Sequence, residues 1–192
     1  MSAALTANVE DARMGAMTTD QKSYGPDLYL VSACLLGVAC RYDGQSHPAP
    51  ELNDLATRGR VITICPEVAC GLPTPRLPAE IERAFAGLDG YAVLDGRTRV
   101  VRNDGADVTA EFIQGAQAAL ALARQLGVHR AILKSDSPSC GAGRIHEGRF
   151  TGKLVSGDGV TTALLRRNGI QVISETDISG GKSENRRVRA KL

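Results

Sequence analysis

The chain has 192 residues, 43% hydrophobic and 23% charged, with a formal net charge of +2; such values suit one soluble α/β domain with a substantial core. The charge is too mild for a nucleic-acid surface, and aromatics at 4% with no Trp leave few stacking platforms for single strands. No apolar run is long enough to span a bilayer, so neither nucleic acid nor membrane is expected as a partner.

Residues 1–27 carry Glu10, Asp11 and Asp20 and no continuous apolar segment, which reads as a leader rather than a secretory signal. Leu28–Ser32 is the first strand. Asp54–Gly59 closes a short helix, and Arg60–Cys65, rich in β-branched residues, is the second strand. Tyr91–Val101 reads as a hairpin turning at Asp95-Gly96, or as a surface insertion. Val108–Leu126 places Phe112, Ala116, Ala119, Leu120 and Ala123 on one helical face, with Asp107 or Thr109 to cap it and Gly127 to end it. Arg130–Lys134 and Ile170–Ser174 are further strands. Between them a helix begins at Asp158 or Thr161, runs through Leu164 and Leu165, and stops at Gly169. Residues 179–192 form a glycine-rich and then basic tail, which leaves 28–178 as the domain. Short apolar strands alternating with helices predict a mainly parallel open sheet with helices on both faces.

Three of these strands stop at a cysteine. The first runs into Ser32-Ala-Cys34, the second into Cys65-Pro-Glu67, and the third into Lys134-Ser-Asp-Ser-Pro-Ser-Cys140. In a parallel sheet all three thiols lie beyond the carboxyl ends, the edge where open α/β sheets bind ligands. Three thiolates there repel one another unless a cation holds them, and thiolates are preferred ligands of soft metals and iron–sulfur clusters. Cys40 is a candidate fourth ligand, which would complete a structural zinc site; three ligands would leave a position open. Spacing alone does not separate bound metal from unliganded thiols, because no Cys-x-x-Cys signature is present. Five cysteines in a chain without a signal fit a reducing cytoplasm. Cys70 reads as packing.

Glu67 follows Cys65 by two residues. Beside a thiolate-rich centre its carboxyl would hold a proton more tightly, suiting acid–base work, although a helix-start or surface carboxylate is the plainer reading. Ser135, Ser137 and Ser139 suit either a tight turn around Pro138 or ligand hydrogen bonds. Lys134 and Arg76 are candidate anchors for an anion or polar heterocycle. Gly152–Gly159 reads as a glycine turn packing helix on sheet, since it lacks the P-loop pattern. His47, His129 and His146 show no ligand spacing and read as surface or loop residues.

Four phrases, in order, resemble one family. They are Val31-Ser-Ala-Cys-Leu-Leu-Gly37 with Cys40-Arg-Tyr-Asp-Gly44; Cys65-Pro-Glu67 with Gly71-Leu-Pro-Thr-Pro-Arg76; Leu133-Lys-Ser-Asp-Ser-Pro-Ser-Cys-Gly141; and Gly152-Lys-Leu-Val-Ser-Gly-Asp-Gly-Val160 with Leu164-Leu-Arg-Arg-Asn-Gly169. From Leu28 to Glu175 the chain resembles the DUF523 family, which includes the thiouracil desulfidases. The resemblance implies a [4Fe-4S] cluster on three cysteines, here Cys34, Cys65 and Cys140, with the fourth iron left to the sulfur of a small thiolated base. It implies catalytic roles for Glu67 and Ser137, with Ser135 the nearest competitor. Cys40 then neighbours the cluster in a structural role, and Cys70 stands where the family pattern has glycine. Two other classes stay open: a zinc or closed-cluster module without turnover, and a cluster-free enzyme with Cys140 as nucleophile.

Overall fold

The structure is a computed structural model that describes residues 28–179. The expected leader and all but the first residue of the expected tail lie outside the described residues. In chain order the elements are β1 (Tyr29–Ser32), α1 (Asn53–Thr57), β2 (Val61–Ile64), α2 (Pro66–Ala69), β3 (Ala79–Ile81), α3 (Gly90–Leu94), β4 (Val100–Arg102), α4 (Thr109–Gln125), β5 (Arg130–Leu133), β6 (Arg144–His146), β7 (Leu154–Ser156), α5 (Val160–Arg167), β8 (Gln171–Ser174) and α6 (Glu175–Ser179).

Four strands form one parallel sheet in the order β2-β1-β5-β8. The central strands β1 and β5 are short because they are covered on both faces and need only a few apolar residues to cross the core, whereas β2 at the edge is half-buried with Thr63 exposed. The period of two decides which face each side chain serves. Leu30, Ile62, Ile64, Ala131, Leu133 and Val172 pack beneath α4 and α5 with Ala119, Ala123 and Leu165. Tyr29, Val31, Val61, Ile132 and Ile173 pack on the opposite face with Leu55 of α1 and Ile178 of α6. Each fully buried Leu or Ile in these layers stabilises the fold by roughly 1.5–3 kcal/mol. The expected two-faced parallel sheet is therefore present, and its four strands fall where the apolar runs placed them.

α4 buries the face expected of it, but Val108, not Asp107 or Thr109, stands at its N-cap. Asp107 Oδ1 accepts the Thr109 N–H at 2.9 Å, and Gly127 takes φ +65° just beyond the helix. α5 differs as well. Gly159, not Asp158 or Thr161, stands at its N-cap, while Asp158 accepts from the Gly143 N–H at 2.8 Å and from Arg166 at 2.6 Å. The glycine is needed for contact: a Cβ there would sit 2.4 Å from the Ser139 carbonyl oxygen, so the helix packs directly on the loop that leads to Cys140.

The hairpin or surface insertion expected over Tyr91–Val101 is not what forms. Asp89 Oδ1 accepts the Tyr91 N–H at 3.1 Å and starts α3, whose Ala92 and Val93 are buried. The strand that follows, β4, pairs antiparallel with β3. A second antiparallel ribbon joins β6 and β7. The β3–β4 and β6–β7 ribbons meet over α4 and α5 in a separate cluster around Phe112, Ile81, Val100 and Ile145.

One contact ties α4 to the sheet edge. A Cβ on Gly115 would come within 2.3 Å of the Pro66 carbonyl oxygen, so only glycine lets α2 rest on α4. Gly115→Ala should push α2 outward, with Cys65 and Glu67 beside it. The expected cost is about 1–3 kcal/mol in chemical denaturation. A variant with wild-type stability would show that this close approach is not needed.

Candidate active site at the carboxyl edge of the sheet

The chain leaves β1 toward one side of the sheet to form β2 and returns on the other side at β5. Loops diverge at such a switch point and leave a crevice. A cavity of about 650 Å³ lies there, and its walls include Cys34, Cys65, Cys140, Glu67 and Ser137. Residues from three separate strand ends thus face one space.

Cys34 sits in a 3-10 turn directly after β1 and is buried. Cys65, in extended conformation, caps α2, with Pro66 at the first helical position. Cys140 ends the loop after β5 and is also buried; its backbone N–H donates to Ser137 Oγ at 3.0 Å, and its carbonyl accepts from Thr162 Oγ1 at 2.8 Å. Cys40 lines the same cavity, and its carbonyl lies 3.7 Å from Cys65 Sγ. Cys70 lies elsewhere, with its Sγ 3.0 Å from the Glu67 carbonyl.

The thiols feel one another. Burial pushes the Cys34 thiol up to about 11, with repulsion from Cys65 adding to it and Lys134 and Arg41 opposing. Burial pushes Cys40 up to about 12, again with Cys65 contributing. Cys140 is driven well above the usual thiol range by burial, against a hydrogen bond to Ser32 and reinforced by Cys65, Cys34 and Glu67. Such thiols resist ionising until a cation compensates them. This also counts against Cys140 as a free nucleophile, which needs a lowered pKa. Lys134, a candidate anion anchor, is committed: its Nζ donates to Glu175 Oε1 at 2.7 Å.

Glu67 has a partner that spacing did not reveal. Arg76 Nε donates to its Oε2 at 2.9 Å, and both side chains are largely buried. Arg76 Nη1 donates to the carbonyls of Cys40 and Pro73 at 3.1 and 3.2 Å and to Thr74 Oγ1 at 3.2 Å. The guanidinium therefore bolts the Glu67 helix to the Cys40 segment, and neither Arg76 nor Lys134 is the open anion anchor expected of it.

The serines divide their work. Ser135 Oγ donates to Glu175 Oε1 at 2.8 Å, and Ser135 N–H donates to Oε2 at 2.7 Å. Burial works against the Glu175 carboxylate, yet hydrogen bonds from Lys134 and Ser135 hold it below the usual range. Ser139 Oγ pairs with Thr161 Oγ1 at 2.9 Å inside the core. Ser137 Oγ accepts the N–H groups of Ser139 and Cys140 at 3.1 and 3.0 Å. Both bonds use acceptor capacity, so its O–H remains free to donate into the cavity.

His146 is not the surface or loop residue it was expected to be. It lies in β6 and lines the cavity, and its Nδ1 is the one buried side-chain nitrogen or oxygen among the described residues without a hydrogen-bond partner. His47 is exposed at the rim of the same cavity, and His129 is exposed elsewhere. Sequence reading also missed Glu80 and Phe150, which line the cavity from β3 and the β6–β7 loop.

A family model described as 2-thiouracil desulfurase matches residues 29–177. The chain belongs to the 2-thiouracil desulfurase family. The Bacillus subtilis (strain 168) protein YbbK is 41% identical over 152 residues, covering 79% of this chain and 98% of YbbK. A solved structure, that of the [4Fe-4S]-dependent thiouracil desulfidase TudS, is 46% identical with a TM-score of 0.70, covering 86% of this chain and 99% of the other. The family match spans every residue named above at the cavity, from Cys34 to Phe150.

The residues present fit the cofactor of a [4Fe-4S]-dependent family. Among the described residues no three His, Cys, Asp or Glu side chains are disposed to hold a single metal ion. Cubane ligands, by contrast, bind separate corners of an inorganic core, so their sulfurs stand apart around a space rather than around a point. Cys34, Cys40, Cys65 and Cys140 all line one cavity, and thiols around such a space are the donor set that core needs. No helix among the described residues is long and apolar enough to cross a membrane.

Proposed function

We propose that this protein, through residues 28–178, removes sulfur from a thiocarbonyl-bearing pyrimidine base such as 2-thiouracil, leaving the oxo base and releasing sulfide. The observation that carries the reading is convergence: Cys34, Cys65, Cys140, Glu67 and Ser137 face one cavity in a chain of this family. Cys34, Cys65 and Cys140 would hold the [4Fe-4S] cluster, which when bound supplies a soft Lewis acid for the substrate sulfur.

The chain's own residues supply the rest. Arg76 occupies Oε2 of Glu67, and Oε1 accepts nothing from the described residues, so Oε1 is the oxygen that takes a proton from the attacking water. Ser137, its oxygen fixed by two backbone N–H groups, donates its hydroxyl hydrogen to the base and holds the ring in register. Cys40 and the Arg76 guanidinium wall the space beside Cys65. The reaction balances without an external oxidant or reductant: a C=S group and one water become a C=O group and hydrogen sulfide.

The test is anaerobic incubation of the iron-loaded protein with 2-thiouracil in ¹⁸O-labelled water. The expected products are uracil carrying one labelled oxygen and one equivalent of sulfide, with no added reductant. Absence of sulfide above the protein-free control, or turnover that requires a reductant, would overturn the proposal.

A further inference from the structure

The loop between β6 and β7 is clamped at every point but one. Thr151 Oγ1 donates to Glu147 Oε1 at 2.7 Å. The N–H groups of Gly148 and Phe150 both donate to Oε2 of Glu80, at 2.8 and 3.0 Å, and Glu80 is a buried carboxylate in the middle of β3. A Cβ on Gly148 would lie 2.2 Å from the Ile81 carbonyl, so the loop is pressed against β3. The Arg149 guanidinium lies over the Phe85 ring at 3.7 Å.

The Phe150 ring is the exception. The residue holds φ at +56°, a conformation disfavoured for any residue with a Cβ, and Glu80 keeps it there. Its side chain is 39% exposed and lines the cavity that holds Cys65, Cys140, Glu67 and Ser137. No ring or cation contact to Phe150 occurs among the described residues. The chain has three phenylalanines and no Trp. Phe112 fills the core and Phe85 carries Arg149, so of the phenylalanines Phe150 offers its ring to the cavity; the other aromatic that lines it, Tyr42, has Arg41 5.8 Å from its ring. Backbone strain kept by a buried carboxylate, with an apolar ring left partly in water, is an arrangement that packing does not require. A ligand with a flat π-face accounts for it.

We propose that Phe150 is the stacking platform for a planar heteroaromatic thiocarbonyl and that Glu80 is its positioning residue. The inference rests on the desulfuration reading for the identity of the ring, and on the loop geometry for the contact. Stacking binds ring-bearing substrate and transition state alike, so its loss appears in KM rather than kcat.

The test uses cluster-loaded protein and two readouts: calorimetric binding of uracil and steady-state kinetics with 2-thiouracil. Phe150→Ala should weaken uracil binding and raise KM by about 5- to 100-fold, with kcat and iron content near wild type. Phe150→Trp and Phe150→Tyr should restore binding, whereas Phe150→Leu, apolar but not aromatic, should stay weak. Glu80→Gln, which keeps an acceptor for the two N–H groups, should bind like wild type. Glu80→Ala should reproduce the Phe150→Ala loss, and combining them should add little. Wild-type binding by Phe150→Ala, or equal binding by Phe150→Leu and Phe150→Trp, overturns the platform. If the wild type binds uracil through Phe150 but releases no sulfide, the desulfuration reading fails and the platform stands.

Discussion

Glu67→Gln should retain wild-type iron and sulfide content and lose at least about 100-fold in turnover of 2-thiouracil, the lower end of what a positioned acid–base group contributes. The amide is nearly the same size, and its carbonyl oxygen can still accept from Arg76 Nε, now at 2.9 Å from Glu67 Oε2. What it cannot do is take a proton. The substitution also leaves a largely buried guanidinium without its counter-charge, and breaking such a pair costs about 3–5 kcal/mol. The variant should therefore melt lower, and its rate should be measured where circular dichroism shows it folded. Glu67→Asp keeps the charge but shortens the reach, so it should melt closer to wild type while remaining slow. Wild-type turnover by folded Glu67→Gln would remove the proposed base.

The second large effect is on the cofactor. Cys140→Ser should lose most of its bound iron and all measurable sulfide release, and Cys34→Ser and Cys65→Ser should do the same. Serine preserves the shape of these sites but exchanges a thiolate for a poor iron ligand. Cys140 is the most demanding case, because it is buried on a loop whose turn is held by Ser137 and whose far side rests on α5. Cys70→Ser should keep its iron, since that thiol bonds the Glu67 carbonyl away from the cavity. Cys40→Ser separates the ligand sets. Retained iron leaves Cys40 a neighbour of Cys65; lost iron, with Cys140→Ser intact, would move the third ligand to Cys40.

The sheet was legible because each of its strands is a short β-branched or leucine-rich run bounded by a polar break, and three of those breaks are cysteines. Parallel pairing puts all three beyond the carboxyl ends of their strands. The ribbons were not legible: β3, β4, β6 and β7 have three residues each, too few for a period-two pattern to stand out. Asp95-Gly96 imitated a hairpin turn, while the true start of α3 depended on Asp89 and on Gly90, whose backbone passes close to Gly159. The partners that set the chemistry lie far apart in sequence. Arg76 joins Glu67 to Cys40, Glu175 holds Lys134 and Ser135, and Glu80 holds Phe150. Nothing in local composition encodes those pairings, so Arg76 and Lys134 read as open cations and His146 as a surface residue. That Ser135 has already spent its hydroxyl hydrogen on Glu175 likewise needed coordinates.

We propose that three distant thiols hold an iron–sulfur cluster with one iron open to sulfur. Anaerobic reconstitution, iron and acid-labile sulfide counts, and Mössbauer spectra with and without 2-thiouracil test it most directly. The expected result is about four irons and four sulfides per chain, with one iron site changing its spectrum when 2-thiouracil is added. Stoichiometric zinc, or a full cluster whose four irons are all indifferent to 2-thiouracil, would contradict it.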